Sequence, residues 1–217
     1  MDTATTAPPV THTTAFAPVV RKQGMADYEP AWRAMQAFTA QRNASTIDEI
    51  WLLQHPPVYT LGLAGKAEHL LRADTGIPVV KIDRGGQITY HGPGQLVVYL
   101  LLDMKRRNLG VRPLVRKMEA AVIDLLAGYG ISARYRADAP GVYVADAKIA
   151  ALGLRIRHGC CYHGLALNID MDLTPFQSIN PCGYPGLAVT QLRDFGVAAT
   201  VENVSEKLTQ HLLHALS

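Results

Sequence analysis

From residue 19 onward, short apolar runs alternate with stretches in which apolar side chains return every three or four positions. The second pattern predicts three helices. Asp27 is placed to cap the first, with Pro30 tolerated in its opening turn and Trp32, Met35, Phe38 and Tyr28 on one face. Arg112-Pro113 opens the second, with Leu114, Met118, Val122, Leu125 and Tyr129 in line and Gly128 and Gly130 at its end. Thr200 caps the last, which carries Val201, Val204, Leu208, Leu212 and Ala215. The first pattern predicts strands at 19–21, 50–53, 58–61, 78–82 and 96–102, then at 131–135, 141–144, 148–156 and 161–169. Asp146-Ala147 and Arg157-His158-Gly159 separate three of the later pieces as tight turns, so these pair antiparallel. Short helical turns are expected after Asp172 or Thr174 and at Thr190, with a breaker-rich loop at 179–186 between them. Helices and a meandering sheet in this order define an α+β fold.

One stretch departs from both patterns. Arg84-Gly-Gly-Gln-Ile-Thr-Tyr-His-Gly-Pro-Gly-Gln95 mixes four glycines and a proline with hydrogen-bonding side chains, directly before the apolar run 96–102. Glycine lets backbone approach a ligand closely, and Arg84, Thr89, Tyr90 and His91 supply polar edges, so the stretch reads as a binding site rather than a plain hairpin turn. It is not a nucleotide fingerprint: GxGxxG spacing is missing, and no GxxxxGK[ST] occurs in the sequence.

The 217 residues, 48% hydrophobic, suffice for one well-buried domain, read as 19–217. Residues 1–18 are rich in Thr, Ala and Pro and are expected to form a disordered extension, since they hold too little apolar surface to offset ordering entropy. A net charge of +3, spread along the chain, gives no argument for nucleic acid but leaves room for an acidic partner. No apolar run reaches membrane-spanning length, there is no signal-peptide pattern, and three cysteines make no paired framework. These features point to a reduced, cytoplasmic protein with no nucleic acid or membrane partner; a monomeric chain is expected.

Cys182 stands between Pro181 and Gly183 in the breaker-rich loop, where a sulfur can be presented to a pocket as a nucleophile; the alternative is an ordinary small packing residue. Cys160 and Cys161 fall in a strand, where packing is the expected role of at least one. Cys-Cys-x-His at 160–163 lacks the spacing of convergent zinc ligands, so no metal is expected. Lys148 leads an apolar strand; it is either solvated or the neighbouring cation that favours thiolate over thiol.

Together, 84–95, Lys-Ile-Ala-Ala-Leu-Gly-Leu-Arg at 148–155, His-Gly-Leu-Ala-Leu-Asn at 163–168 and Ile-Asn-Pro-Cys-Gly-Tyr at 179–184 resemble the lipoyl(octanoyl) transferase family. The resemblance extends to 28–35 and 55–62 and so covers nearly everything after residue 19. It implies a fold related to biotin and lipoate protein ligases, a mixed and largely antiparallel sheet flanked by helices. It implies transfer of an octanoyl group from octanoyl-acyl carrier protein to a lysine of lipoyl domains in 2-oxo acid dehydrogenase complexes or the glycine cleavage H protein, with no cofactor. On this carry-over Cys182 is the nucleophile and Lys148 its acid/base partner. Arg84, Gly85, Gly86, Gln87, Ile88, Thr89, Tyr90 and His91 would line the acyl pocket with Ala151, Leu152, Gly153, Gly164, Leu165 and Ala166. Relatives often carry serine where this chain has Ala151, so only the backbone is available there. The rival readings are an ATP-dependent lipoate or biotin ligase, whose motif is typically of a Gly-Gly-Gly-Ala-Val-Tyr-His-Asp type, and a non-catalytic acyl-binding module. Lys148 and Cys182 together argue against both.

Overall fold

The computed structural model describes residues 17–217. Of the expected extension, residues 1–16 therefore lie outside the described residues. Ten strands are β1 (Val19–Met25), β2 (Glu49–Gln54), β3 (Val58–Leu61), β4 (Val79–Lys81), β5 (Ile88–His91), β6 (Gln95–Asp103), β7 (Arg134–Tyr135), β8 (Gly141–Val144), β9 (Ala147–Arg157) and β10 (Cys160–Asn168). Three helices are α1 (Tyr28–Gln41), α2 (Val111–Ala127) and α3 (Val201–Leu216). Seven strands form one sheet in the order β1-β2-β6-β10-β9-β8-β7, and β4-β3-β5 form a second. All pairs in the large sheet are antiparallel except β1 with β2, and β3 pairs parallel with β4. The α+β expectation and its mixed, largely antiparallel sheet hold.

β6 and β10 read as continuous apolar runs because both of their faces are covered. Leu96, Val98, Leu100 and Leu102 of β6 pack with Leu165 and Leu167 of β10 against Leu114, Met118, Val122 and Leu125 of α2 and Val204, Leu208 and Leu212 of α3. On the opposite face Val97, Tyr99 and Leu101 meet Ala31 and Met35 of α1. Each large side chain buried in this way stabilises the fold by roughly 1.5–3 kcal/mol. α2 stops at Gly128, where the N–H groups of Gly128 through Ile131 turn back onto the carbonyls of Asp124, Leu126 and Ala127.

Several expectations needed correction. The motif at 84–95 is not one long turn between two strands: residues 88–91 form β5, fully buried and paired with β3, because the second sheet gives their backbone groups partners. The two strands expected on either side of the 55–57 turn do form, as β2 and β3, in different sheets. Residues 131–133 stay irregular and only Arg134–Tyr135 pair as strand. The turn Leu192–Phe195 is capped by Gln191, not Thr190, through a reciprocal box with Asp194. Thr200 does cap α3, accepting from the Asn203 N–H.

Candidate active site

Lys148 enters the site through an irregularity in its strand. Val142 of β8 pairs with Ala150, but the next residue, Tyr143, pairs with Lys148, so β9 carries Ile149 as an extra residue. Such a bulge re-aims the side chains around it. The Lys148 backbone is also held from 188–190, its N–H donating to Ala188 O (2.8 Å) and its carbonyl accepting from Thr190 N (3.0 Å). The side chain is 3% exposed and donates to Cys182 Sγ at 2.9 Å and to Pro140 O at 3.1 Å. Burial disfavours the charge, yet the Cys182 sulfur and the Tyr143 hydroxyl outweigh it and hold the ammonium above its ordinary value.

Cys182 is half-buried at the centre of the tight turn Pro181–Gly183 and has φ of 56°, in the left-handed region that non-glycine residues seldom adopt. Its neighbours hold it there. Gly183 N donates to Asn180 O, Asn180 N to His69 O (2.8 Å), and Leu71 N to Ser178 O (2.9 Å), so the segment 69–72 straps the loop from outside. Tyr184 OH anchors the far end on Asp138 O at 2.9 Å.

The sulfur faces a cavity of about 380 Å³, within the range of small-ligand pockets. Gly153, Gly164, Ala151 and Ala166 line it together with the Arg84–Gly86 loop. Small residues are required here. A Cβ on Gly164 would lie 2.2 Å from Val98 O, and one on Gly153 would lie 3.1 Å from Arg84 Cδ and 3.2 Å from Gly85 O. Gly86, at φ 94°, lets the loop turn back so that its carbonyl receives Ala64 N at 3.2 Å, while Gly85 N docks on Leu154 O at 2.9 Å.

Behind this loop Arg84 is 8% exposed and donates to Thr60 O (2.8 Å), Thr60 Oγ1 (2.9 Å) and Gly85 O (3.0 Å). Burial lowers its pKa; Tyr28, Cys182 and Tyr99 oppose that shift. Three histidines cluster around Tyr99 and Tyr28 beside the cavity. His55 bridges Ala26 O (2.6 Å) and Tyr99 OH (2.7 Å), and burial pushes it down to about 4. His91, bonded to Gln95 Oε1 at 2.7 Å and Thr60 Oγ1 at 3.4 Å, is pushed to about 3, chiefly by burial and also by His55. His163 is lowered by burial although Asp83 accepts from its Nε2 at 3.2 Å. Asp83 also accepts from Trp32 (2.8 Å), Gln36 (3.1 Å) and Tyr162; burial opposes its charge, but these donors hold its carboxyl far below the usual range. Of the three, His91 and His163 line the cavity with the buried Arg84 guanidinium, and His55 meets His91 without lining it.

Among the residues expected to line the acyl pocket, Arg84, Gly85, Gly86, Gln87, Ile88, Thr89, His91, Ala151, Leu152, Gly153, Gly164, Leu165 and Ala166 line this cavity, as does Cys182. Lys148 reaches it through Cys182 from a small adjoining cleft. Tyr90 does not line it. Strand alternation turns Tyr90 to the other face of β5, where its ring meets Phe176 edge-on at 5.4 Å. Tyr28 packs in the core with Val58 and Ile82, as the helix face predicts, and also lines the cavity, stacked on His91 at 5.8 Å. Sequence reasoning passed over Tyr99 and His163 as site residues; a tyrosine inside the β6 apolar run was the available signal. Cys161 is fully buried and its thiol donates to Leu100 O, so packing explains it; Cys160 is buried as well. Among the described residues no three His, Cys, Asp or Glu side chains are placed to hold a metal ion.

The family described as lipoyl protein ligase A/B catalytic domain matches residues 27–213, and the chain belongs to that family. Its group within the family follows from closer relatives. The octanoyltransferase of Azoarcus sp. (strain BH72) is 67% identical over 91% of this chain and 87% of its own, and that of Thiobacillus denitrificans 66% identical over 91% and 90%. The chain is accordingly an acyltransferase of the octanoyltransferase family. Solved structures extend the fold further. The bipartite lipoate protein ligase of Thermoplasma acidophilum, described with its E2 lipoyl domain, has a TM-score of 0.72 at 18% identity, over 92% of this chain and 84% of that one. Biotin protein ligase from Aquifex aeolicus has a TM-score of 0.55 at 12% identity, over 93% and 70%. These two likenesses concern the fold alone.

Proposed function

We propose that this chain takes an octanoyl group from octanoyl-acyl carrier protein onto Cys182 and passes it to a lysine of lipoyl domains, the first step of protein lipoylation. The carrying observation is the 2.9 Å approach of Lys148 Nζ to Cys182 Sγ at the wall of the cavity. A cation at that distance favours thiolate over thiol. The thiolate attacks the thioester carbonyl, the carrier's sulfur departs, and it takes a proton from the Lys148 ammonium. Neutral Lys148 then accepts the proton lost by the incoming lysine amine as that nitrogen forms an amide and Cys182 leaves as thiolate. A thioester already holds the free energy of the amide bond, so no nucleotide enters the cycle. The catalytic domain is 19–217, and 1–18 is an extension that takes no part.

The site residues take roles that follow from their places. Arg84 fixes the glycine loop by bonding Thr60 and Gly85, and Gly153, Gly164, Ala151 and Ala166 leave room for the chain. The test is incubation with octanoyl-acyl carrier protein, without ATP or magnesium, followed by intact mass measurement. One octanoyl group should appear on Cys182, be released by neutral hydroxylamine, and move to a lipoyl domain as an amide. Transfer that needs ATP and leaves Cys182 unmodified would point to ligase chemistry instead.

A further inference from the structure

Residues 62–72 run between two parts of the site. Leu63 N and Ala64 N donate to Arg84 O (2.9 Å) and Gly86 O (3.2 Å), and Lys66 N donates to Gln87 Oε1 at 3.0 Å, so the near end holds the glycine loop that borders the cavity. The far end, 69–72, holds the turn that carries Cys182. Most side chains of the segment are exposed, that of Glu68 at 66%, whereas the His69 side chain is only 13% exposed. His69 grips the turn by backbone and ring. Its carbonyl accepts from Asn180 N (2.8 Å), and its Nδ1 accepts from the Asn180 side-chain amide at 3.4 Å. Its Nε2 stands 3.2 Å from where a Cβ on Gly183 would lie, with Gln87 Cγ at 3.0 Å from the same point. Gly183, at φ 79°, thus leaves the space that the imidazole borders. The 3.9 Å approach of Glu68 to His69 Nε2 is too long to set the ring.

We infer that His69 is a positioning residue for Cys182: acting through Asn180, it fixes the left-handed turn and with it the 2.9 Å approach of the sulfur to Lys148. The inference rests on Cys182 being the nucleophile. Between the two contacts of His69 lies the strained part of the turn, where Asn180 O accepts from Gly183 N at 2.9 Å and Cys182 sits at φ 56°. A non-glycine residue stays in that region only where its surroundings over-determine it. The Lys148 backbone is fixed separately by 188–190, so the place of the sulfur depends on the turn. The bond from Asn180 N to the His69 carbonyl survives any substitution of the side chain; the second bond and the ring beside Gly183 do not. His69 does not line the cavity, so its loss should change the rate at Cys182 and not the binding of the acyl chain.

The experiment compares His69→Ala, His69→Asn and His69→Gln on the full chain, with Asn180→Ala and the double alanine variant. Asparagine carries its amide oxygen where the imidazole carries Nδ1, and so keeps an acceptor for Asn180; glutamine carries its amide at the place of Nε2 and does not. Iodoacetamide labelling of Cys182 near pH 7, octanoylation by octanoyl-acyl carrier protein and the melting temperature are measured on each. His69→Ala should lower both rates about ten- to a hundredfold, the loss expected when a reacting atom is displaced by about 1 Å, while KM for the donor stays within about twofold. His69→Asn should recover most of the loss and His69→Gln little, and the double variant should lose no more than the worse single one, because both act through one contact. Wild-type rates in His69→Ala, an asparagine variant no better than alanine, or losses that track a falling melting temperature overturn the assignment. A wild-type chain that is never octanoylated on Cys182 removes the nucleophile reading instead, a result that no comparison among the variants can produce.

Discussion

Lys148 Nζ donates to Cys182 Sγ across 2.9 Å, although 34 residues separate the two in sequence. A bulge in β9 and a strained turn are both needed to bring them there, and each is fixed by backbone bonds from a different segment. The pair therefore depends on the whole site remaining folded.

Lys148→Ala should fold and yet lose transfer by a factor of about 100–10,000, the usual range for removing a positioned acid/base group. Lys148→Arg should recover little, because arginine keeps the charge and cannot release the proton. Steady-state transfer and the rate of thiol alkylation check this together. An arginine variant with full turnover would reduce Lys148 to a fixed charge.

Iodoacetamide applied to the native chain near pH 7 should label Cys182 and spare the other two cysteines. Burial pushes the Cys161 thiol up to about 12 and raises that of Cys160, and the thiolate is the reactive form. Peptide mapping by mass spectrometry reads the result. Cys182→Ser should abolish transfer, whereas Cys160→Ser should keep most of it; equal loss from both would sink the nucleophile assignment.

Acid should weaken the fold through its buried imidazoles. His55 and His91 are held at about 4 and about 3, below the ordinary 6.5, so between those values the unfolded chain binds more protons than the folded one. Stability contributed by their neutral form is present above about 6.5 and is lost as the pH falls through that window, on the order of a few kcal/mol in all. Urea melts at pH 7.5 and 4.5 measure the loss, and His55→Gln should flatten the slope between them.

Gly164→Ala should destabilise by about 1–3 kcal/mol, because the added methyl would stand 2.2 Å from Val98 O on the paired strand and only backbone movement relieves it. Thermal melting should show the drop, and acylation should suffer with it, since Gly164 also lines the cavity. An unchanged melting temperature would mean that β6 and β10 yield more easily than their burial suggests.

The chain's periodicities located the helices well, because a helix that buries one face writes that face at every third or fourth position: Leu114, Met118, Val122 and Leu125 are all buried where α2 was expected. The apolar runs of β6 and β10 were equally legible, since strands covered on both faces admit few polar residues. β5 was not, because Gly85 and Gly86 before it and Gly92 to Gly94 after it carry turn chemistry, and only pairing with β3 makes 88–91 a strand. The helix face pattern placed Tyr28 among the buried residues, as found, but could not show that it also meets the cavity, because such a pattern tells only which side is buried.

The sequence by itself determined the α+β class, the places of the three helices, the Thr200 cap and the family motifs. These depend on local periodicity and on residue chemistry, which the linear order carries directly. Tertiary structure alone decided that Lys148 is buried and bonded to Cys182, and that Tyr90 turns away while Tyr28, Tyr99 and His163 turn in. Those facts arise where segments far apart in the chain share a surface, and a bulge of one residue or a single left-handed turn reverses the direction a side chain takes.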